Sequence, residues 1–311
     1  MSASLLAVIP RDDDARLARQ LRRVLGAALA LLTLASFGIL LSRTLELNGG
    51  AWATLWPDMR VALDVTHFGH IWLWRIPALA IAWAAWAWTT QKGTPRAAWI
   101  MLLAFAVIAL TRSGTGHPAD HGDFALTVWI DWLHLLAAGT WVGSLLAMSL
   151  AIFPLLLRRA RGDAVLAANI FQRLSTLCGM ALAVLVACGV YSAIDQLGSV
   201  DPLWNTRYGM ILDVKLAIVL VMILIGAHNR YVKLPRLHGA AGNTPSRDDG
   251  RRVIRVCARA VLIESLLGLA VIGATATLLH AMPPTDAPAM QGMSAAAAPS
   301  ATPIVGLPPP R

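Results

Sequence analysis

At 311 residues, 57% hydrophobic and 14% charged, with a mean hydropathy of +0.62, the chain is too apolar for a soluble core, and its length suits one bundle crossing a membrane several times. Its formal charge of +9 does not signal nucleic-acid binding, because Arg and Lys gather in short segments beside apolar runs, where the positive-inside rule places cytoplasmic loops. Cys178, Cys188 and Cys257 form no CxxC pair; the first two fall about 15 Å apart on one helix, too far for a mutual disulfide, and all three read as compact packing residues.

The expected fold class is all-α, a polytopic transmembrane helix bundle of about seven spans. Residues 1–23 read as a cytoplasmic N-terminal segment carrying Arg11, Arg16, Arg19, Arg22 and Arg23. The apolar run that follows is longer than a signal-peptide core, and Asp12-Asp13-Asp14 is unlike a basic leader, so it is an anchor. A span needs about 20 mostly apolar residues, and seven runs serve, at 24–42, 70–89, 97–112, 125–150, 174–194, 208–228 and 258–280; the third is short. Residues 45–69, with Trp52, Trp56 and Phe68, suit a partly helical stretch on the membrane surface. Basic residues return after the second run (Lys92, Arg96), after the fourth (Arg158, Arg159, Arg161, Arg173) and after the sixth (Arg230 to Arg255). Those segments are therefore cytoplasmic, which puts the N-terminus inside and the C-terminus in the periplasm. The tryptophans cluster near span ends, where indole prefers the interface. Residues 24–280 make up the bundle, and 281–311, rich in Pro, Ala and Met, read as a disordered periplasmic tail. No tandem repeat is evident.

This topology sends six of eight histidines, His67, His70, His117, His121, His134 and His280, toward the outer face, leaving His228 and His238 opposite. Imidazole is a common metal ligand and intramembrane proton carrier, so the crowding suggests a cation site. Counting about 1.5 Å per residue, Arg75, Asp131, His134, Asp213 and Lys215 share a depth of roughly 7 to 14 Å. Such charges compensate one another if their helices converge; the alternative is a belt that only glues helices together. Thr127, Asp131, His134, Ala138 and Trp141 form one stripe, with Asp131 placed to orient the His134 ring. His117 and His121 lie in a Gly/Pro-rich turn, and His67 and His70 are three apart. His280 and Met282, with Met290 and Met293 beyond, add imidazole and thioether groups of the kind that suit copper. Glu264 is expected to reach cytoplasmic headgroups.

The pattern resembles the copper resistance protein D family, CopD, bacterial inner-membrane proteins associated with copper handling. The resemblance rests on Thr66-His67-Phe68-Gly69 with Trp72 and Arg75, on Gly116-His117, and on 131–138 (DWLHLLAA) running into Trp141-Val142-Gly143. Tyr208-Gly209 with Lys215, and Asn229-Arg230, continue it. It implies a multi-pass copper transporter, importing copper and working beside a periplasmic copper-binding protein of the CopC type. His67 and His70 stand where the family has variable or basic residues. The family pattern also begins with one more helix, of which residues 2–10 look like only the end, so a first span is expected to be missing.

The expected function is copper binding and transport across the bacterial inner membrane, without catalysis. His117, His121, His67, His70, His280 and Met282 would gather the ion and His134 receive it, while Asp131, Arg75, Asp213 and Lys215 supply the charge network. Few strong ligands mark the inner half, where only Met148, Met222 and His228 are candidates. The chain has no P-loop and no GxGxxG after a strand, so no nucleotide is expected. The expected partners are the lipid bilayer and the CopC-type protein, with no nucleic acid. A haem b electron-transfer subunit would need paired deep imidazoles, and only His134 is clearly deep. A non-transporting copper sensor or assembly scaffold is the other alternative.

Overall fold

A computed structural model describes residues 15–92, 95–116, 119, 122–158, 164–197, 201–236 and 247–278; the expected tail lies outside them. Among the described residues the chain is helical, without a strand. Six helical stretches are long and apolar enough to cross a membrane: Ala18–Leu47, Arg96–Ser113, Leu126–Leu157, Ala167–Asp195, Gly209–Arg236 and Arg251–Ala276. The expected run 70–89 is divided between α3 (His67–Leu73) and α4 (Arg75–Lys92). Pro77 accounts for the break, since it has no N–H for the Leu73 carbonyl and its ring would collide with it. The 18 residues of α4 still extend about 27 Å.

The first helix, α1 (Ala15–Leu47), runs about 50 Å, more than the roughly 30 Å hydrocarbon layer, so its arginine-bearing turns extend past the apolar zone. The surface stretch contains α2 (Leu55–Val65). Then come α5 (Pro95–Ser113), α6 (Leu126–Ala147), α7 (Phe153–Arg158), α8 (Ala164–Leu197), α9 (Pro202–Asn205), α10 (Arg207–His228) and α11 (Arg247–Leu278). Two cores result: Leu29, Leu79 and Ala104 join α1, α4 and α5, while Leu145, Ile170, Met222 and Val261 join α6, α8, α10 and α11.

Lipid tails are as apolar as leucine, so packing and polar contacts must hold helices together. Four tryptophans expected at interfaces supply such contacts. The indole N–H groups of Trp72, Trp83 and Trp86 donate to Ser36 O, Thr33 Oγ1 and Arg22 O of α1, and Trp132 on α6 donates to Ala106 O of α5.

The two halves share local devices that the sequence did not display as a repeat. Thr66 and Thr206 both leave the helical backbone, and each hydroxyl accepts from the N–H of the glycine three residues on, Gly69 or Gly209, at 3.0 Å. Each caps the helix that follows. Gly69 also permits close packing, because a methyl there would lie 2.2 Å from the Ala62 carbonyl oxygen. Both 22-residue helices, α6 and α10, pass into five-residue π-helical turns, Met148–Ile152 and Asn229–Lys233. A proline stands two residues past each turn, Pro154 and Pro235. A proline N–H is missing from the helical ladder, which favours such a widening. The Leu150 carbonyl left by Pro154 accepts instead from Gln20 Nε2 of α1, at 2.9 Å.

Candidate functional site

His134 and Lys215 each lie about 12 Å from the N-terminal end of α6 and α10, and Gly189 about 12 Å from the C-terminal end of α8. The His134 Cε1 lies 3.9 Å from where a Cβ on Gly189 would stand, so the half-buried ring faces α8 at a place without a side chain. Asp131 and Lys215 both interact electrostatically with His134 and with each other, and Cys188 interacts with Asp131. Asp131, His134, Lys215 and Cys188 thus occupy one neighbourhood inside the bundle. A carboxylate and an ammonium around one imidazole balance charge and leave the ring available to a cation. Cys188, 7% exposed, is buried next to Gly189 in the chain, as a packing residue is expected to be; that Gly189 faces the His134 ring is visible only in the fold.

The rest of the expected charge belt divides. Arg75, 2% exposed, donates from Nε to Thr111 Oγ1 at 2.8 Å and from Nη2 to Thr115 Oγ1 at 3.4 Å. Asp131 accepts from Ser113 Oγ at 2.5 Å. The polar end of α5 therefore stands between them, and among the described residues the ion pairs are Arg43–Glu46 and His67–Asp123. Asp213 precedes Lys215 by two residues, about 200° around α10, and does not share its face. Convergence of all five groups is replaced by hydroxyl mediation, which satisfies a buried guanidinium without moving a carboxylate into lipid.

His67 and His70 are both exposed and separately engaged: His67 Nε2 lies 3.0 Å from Asp123 Oδ1, and the His70 ring N–H donates to Asp64 O at 2.8 Å. His117, His121, His280 and Met282 lie outside the described residues. Among the described residues, no three His, Cys, Asp or Glu side chains gather closely enough to hold a metal.

Glu264 does not reach headgroups. It is 5% exposed and accepts from Asn229 Nδ2, with Asn229 itself 3% exposed. The neighbouring Ser265 hydroxyl pairs with Ser149 at 2.9 Å. The two π-helical turns thus hold adjacent polar residues of α11. A buried carboxylate with a single side-chain donor is stable only where the backbone fixes that donor.

The chain matches two family models, "Copper resistance protein D-like, N-terminal domain" over residues 2–126 and "Copper resistance protein D" over 168–278. It is 31% identical over 200 residues to inner membrane protein YebZ of Escherichia coli (strain K12), covering 62% of this chain and 66% of that one. It is 27% identical to copper transport protein CutJ of Bacillus subtilis (strain 168), over 70% of this chain and 40% of that one, and 27% identical to copper resistance protein D of Pseudomonas syringae pv. tomato, over 84% and 83%. The chain belongs to the copper resistance protein D family. It is a multi-pass inner-membrane protein of that family. The two family matches cover α1 to α5 and most of α8 to α11, leaving Asp131 and His134 on α6 in the stretch between them. No solved structure matches the chain.

Proposed function

We propose that the chain binds copper and carries it across the inner membrane, inward, with His134 as the residue that receives the ion. The observation that carries this reading is the His134 ring inside the bundle, facing the Gly189 gap and within electrostatic reach of Asp131 and Lys215. Copper-resistance family membership supplies the ion, and a relative named as a copper transport protein supports transport. The rim with His67, His70 and Asp123 is then the periplasmic one, where a CopC-type protein delivers copper, and His117, His121, His280 and Met282 are the further ligands proposed to collect the ion. The arginine-bearing rim faces the cytoplasm, in keeping with the positive-inside rule. Copper is the cargo, and Asp131, Arg75, Asp213 and Lys215 set the charge around its route.

Uptake of radioactive copper into vesicles bearing the full chain, compared with His134→Ala, tests the reading. Loss of at least tenfold of the protein-dependent flux is expected; flux equal to wild type removes His134 from the route, and no protein-dependent flux at all removes the permease.

A further inference from the structure

A cavity of about 500 Å³ lies away from His134, between α8 and α10, with α6 and α11 as its floor. Much of its wall is apolar, but Cys178, Met222, Asn229 and Glu264 all line it. Cys178 is 10 residues from Cys188 on α8, about 15 Å further along the bundle. Three observations give the cavity a chemistry. First, Asn229 is 97% buried, and its Oδ1 has no hydrogen-bond partner while Nδ2 is committed to Glu264. An unsatisfied buried acceptor is costly and marks a place where a donor or a cation is missing. Second, Cys178, whose thiol also bonds the Ser144 side chain, lies within electrostatic reach of Glu264, and Glu264 Oε2 lies 3.9 Å from where a Cβ on Gly226 would stand. Gly226 is one turn from Met222, which is 1% exposed. Third, Asn229 opens a π-helical turn, a widening frequent at functional sites.

We infer that this cavity binds a soft monovalent cation of the Cu(I) class, held by the sulfurs of Cys178 and Met222 beside the Glu264 side chain and the Asn229 carbonyl oxygen. Thiolate and thioether select Cu(I) over harder ions such as Mg²⁺ and Ca²⁺. A monovalent ion adds the smaller charge to a wall that already holds the Arg230 guanidinium beside the Glu264 carboxylate. Binding breaks the Cys178 S–H bond and forms a Cu–S bond without change of oxidation state. The displaced proton passes to Glu264, which becomes a neutral carboxylic acid beside the bound ion, and the Cys178 thiolate then carries the charge that balances Cu(I). Arg230 bridges from α10 to Ser175 on α8, through Nη1 to the carbonyl at 3.1 Å and the hydroxyl at 3.2 Å, and so closes one side of the cavity. The site stands on residues other than His134 and does not require that ring to bind metal or the chain to transport it.

Titration of the detergent-purified full chain with Cu(I) in a chromophoric chelator buffer tests this, together with X-ray absorption at the copper edge. Wild type and His134→Ala are each expected to hold a Cu(I) ion with sulfur neighbours in this cavity. Cys178→Ser and Met222→Leu should each weaken that ion by at least tenfold, and Cys257→Ser, which removes a buried thiol elsewhere, should not. Met222→Leu keeps volume, so it answers if Cys178→Ser does not fold. Wild-type affinity in both Cys178→Ser and Met222→Leu, only nitrogen and oxygen neighbours around copper, or loss of all Cu(I) in a folded His134→Ala overturns the inference. Normal Cu(I) binding with no vesicle flux would retire the transport reading and leave this site standing.

Discussion

The two polar centres satisfy the same physical demand in different ways. Around His134, the ring, Asp131 and Lys215 are half-buried and joined mainly by charge at a distance, and a glycine leaves space beside the ring. Around Glu264, the carboxylate, Asn229 and Ser265 are almost fully buried and are joined, with the half-buried Ser149, by direct bonds that two π-helical turns impose on α11. Low dielectric punishes an unpaired charge in either place. The first centre answers with several mutually neutralising groups that remain adjustable, the second with a fixed donor. An adjustable centre suits a passing ion; a fixed one suits a seat.

If that contrast holds, stability should depend far more on the second centre. Asn229→Leu removes the donor to a buried carboxylate and should cost about 2–3 kcal/mol, read as a lowered unfolding midpoint in detergent; an unchanged midpoint would mean the bond does not form. Outside both centres, Gly69→Ala forces a methyl against a backbone oxygen and should cost about 1–3 kcal/mol, showing that the Thr66 turn is set by close approach. At the first centre, Ser113→Ala leaves Asp131 half-exposed without its hydroxyl and should cost only about 1 kcal/mol, with a larger proportional loss of copper flux than of stability. Equal losses in flux and stability would erase the distinction between adjustable and fixed. His67→Ala, which breaks an ion pair more than half exposed on both sides, should change stability by less than about 0.5 kcal/mol once solvent screening is allowed for.

The smallest effect concerns the rim helix α2. Hydrogen bonds from Thr54 and Asn48 hold the Asp58 carboxyl below its ordinary value of 3.8. A depressed folded value means the contribution is fully present above the unfolded value and is lost as pH falls through the folded one. Hydrogen exchange of residues 55–65 should therefore quicken only below about pH 3.8, and no faster exchange there would mean that the bonds from Thr54 and Asn48 to Asp58 do not hold α2.

Much of the fold was legible because hydropathy runs and arginine clusters report the bilayer directly: every backbone group in lipid must be bonded internally, so long apolar runs become helices. The run at 70–89 was misread in one respect, because Pro77 breaks the helix inside a stretch of uniform hydropathy. That His134 faces Gly189 was not legible, since which faces of α6 and α8 meet depends on rotations that no single helix encodes. Glu264 is expected at headgroups from its place near the inner end of the last span, and the π-helical turn that buries its partner leaves only a proline as its sign.

By itself, the sequence determined a multi-span helical membrane protein of the copper resistance protein D family, because composition, length and local motifs are properties of single segments. Only the tertiary structure decided which polar groups meet: Thr111 with Arg75, Ser113 with Asp131, and Asn229 with Glu264 across 35 residues of chain. In lipid those contacts arise from the packing angle and rotation of neighbouring helices, quantities set by the whole bundle at once.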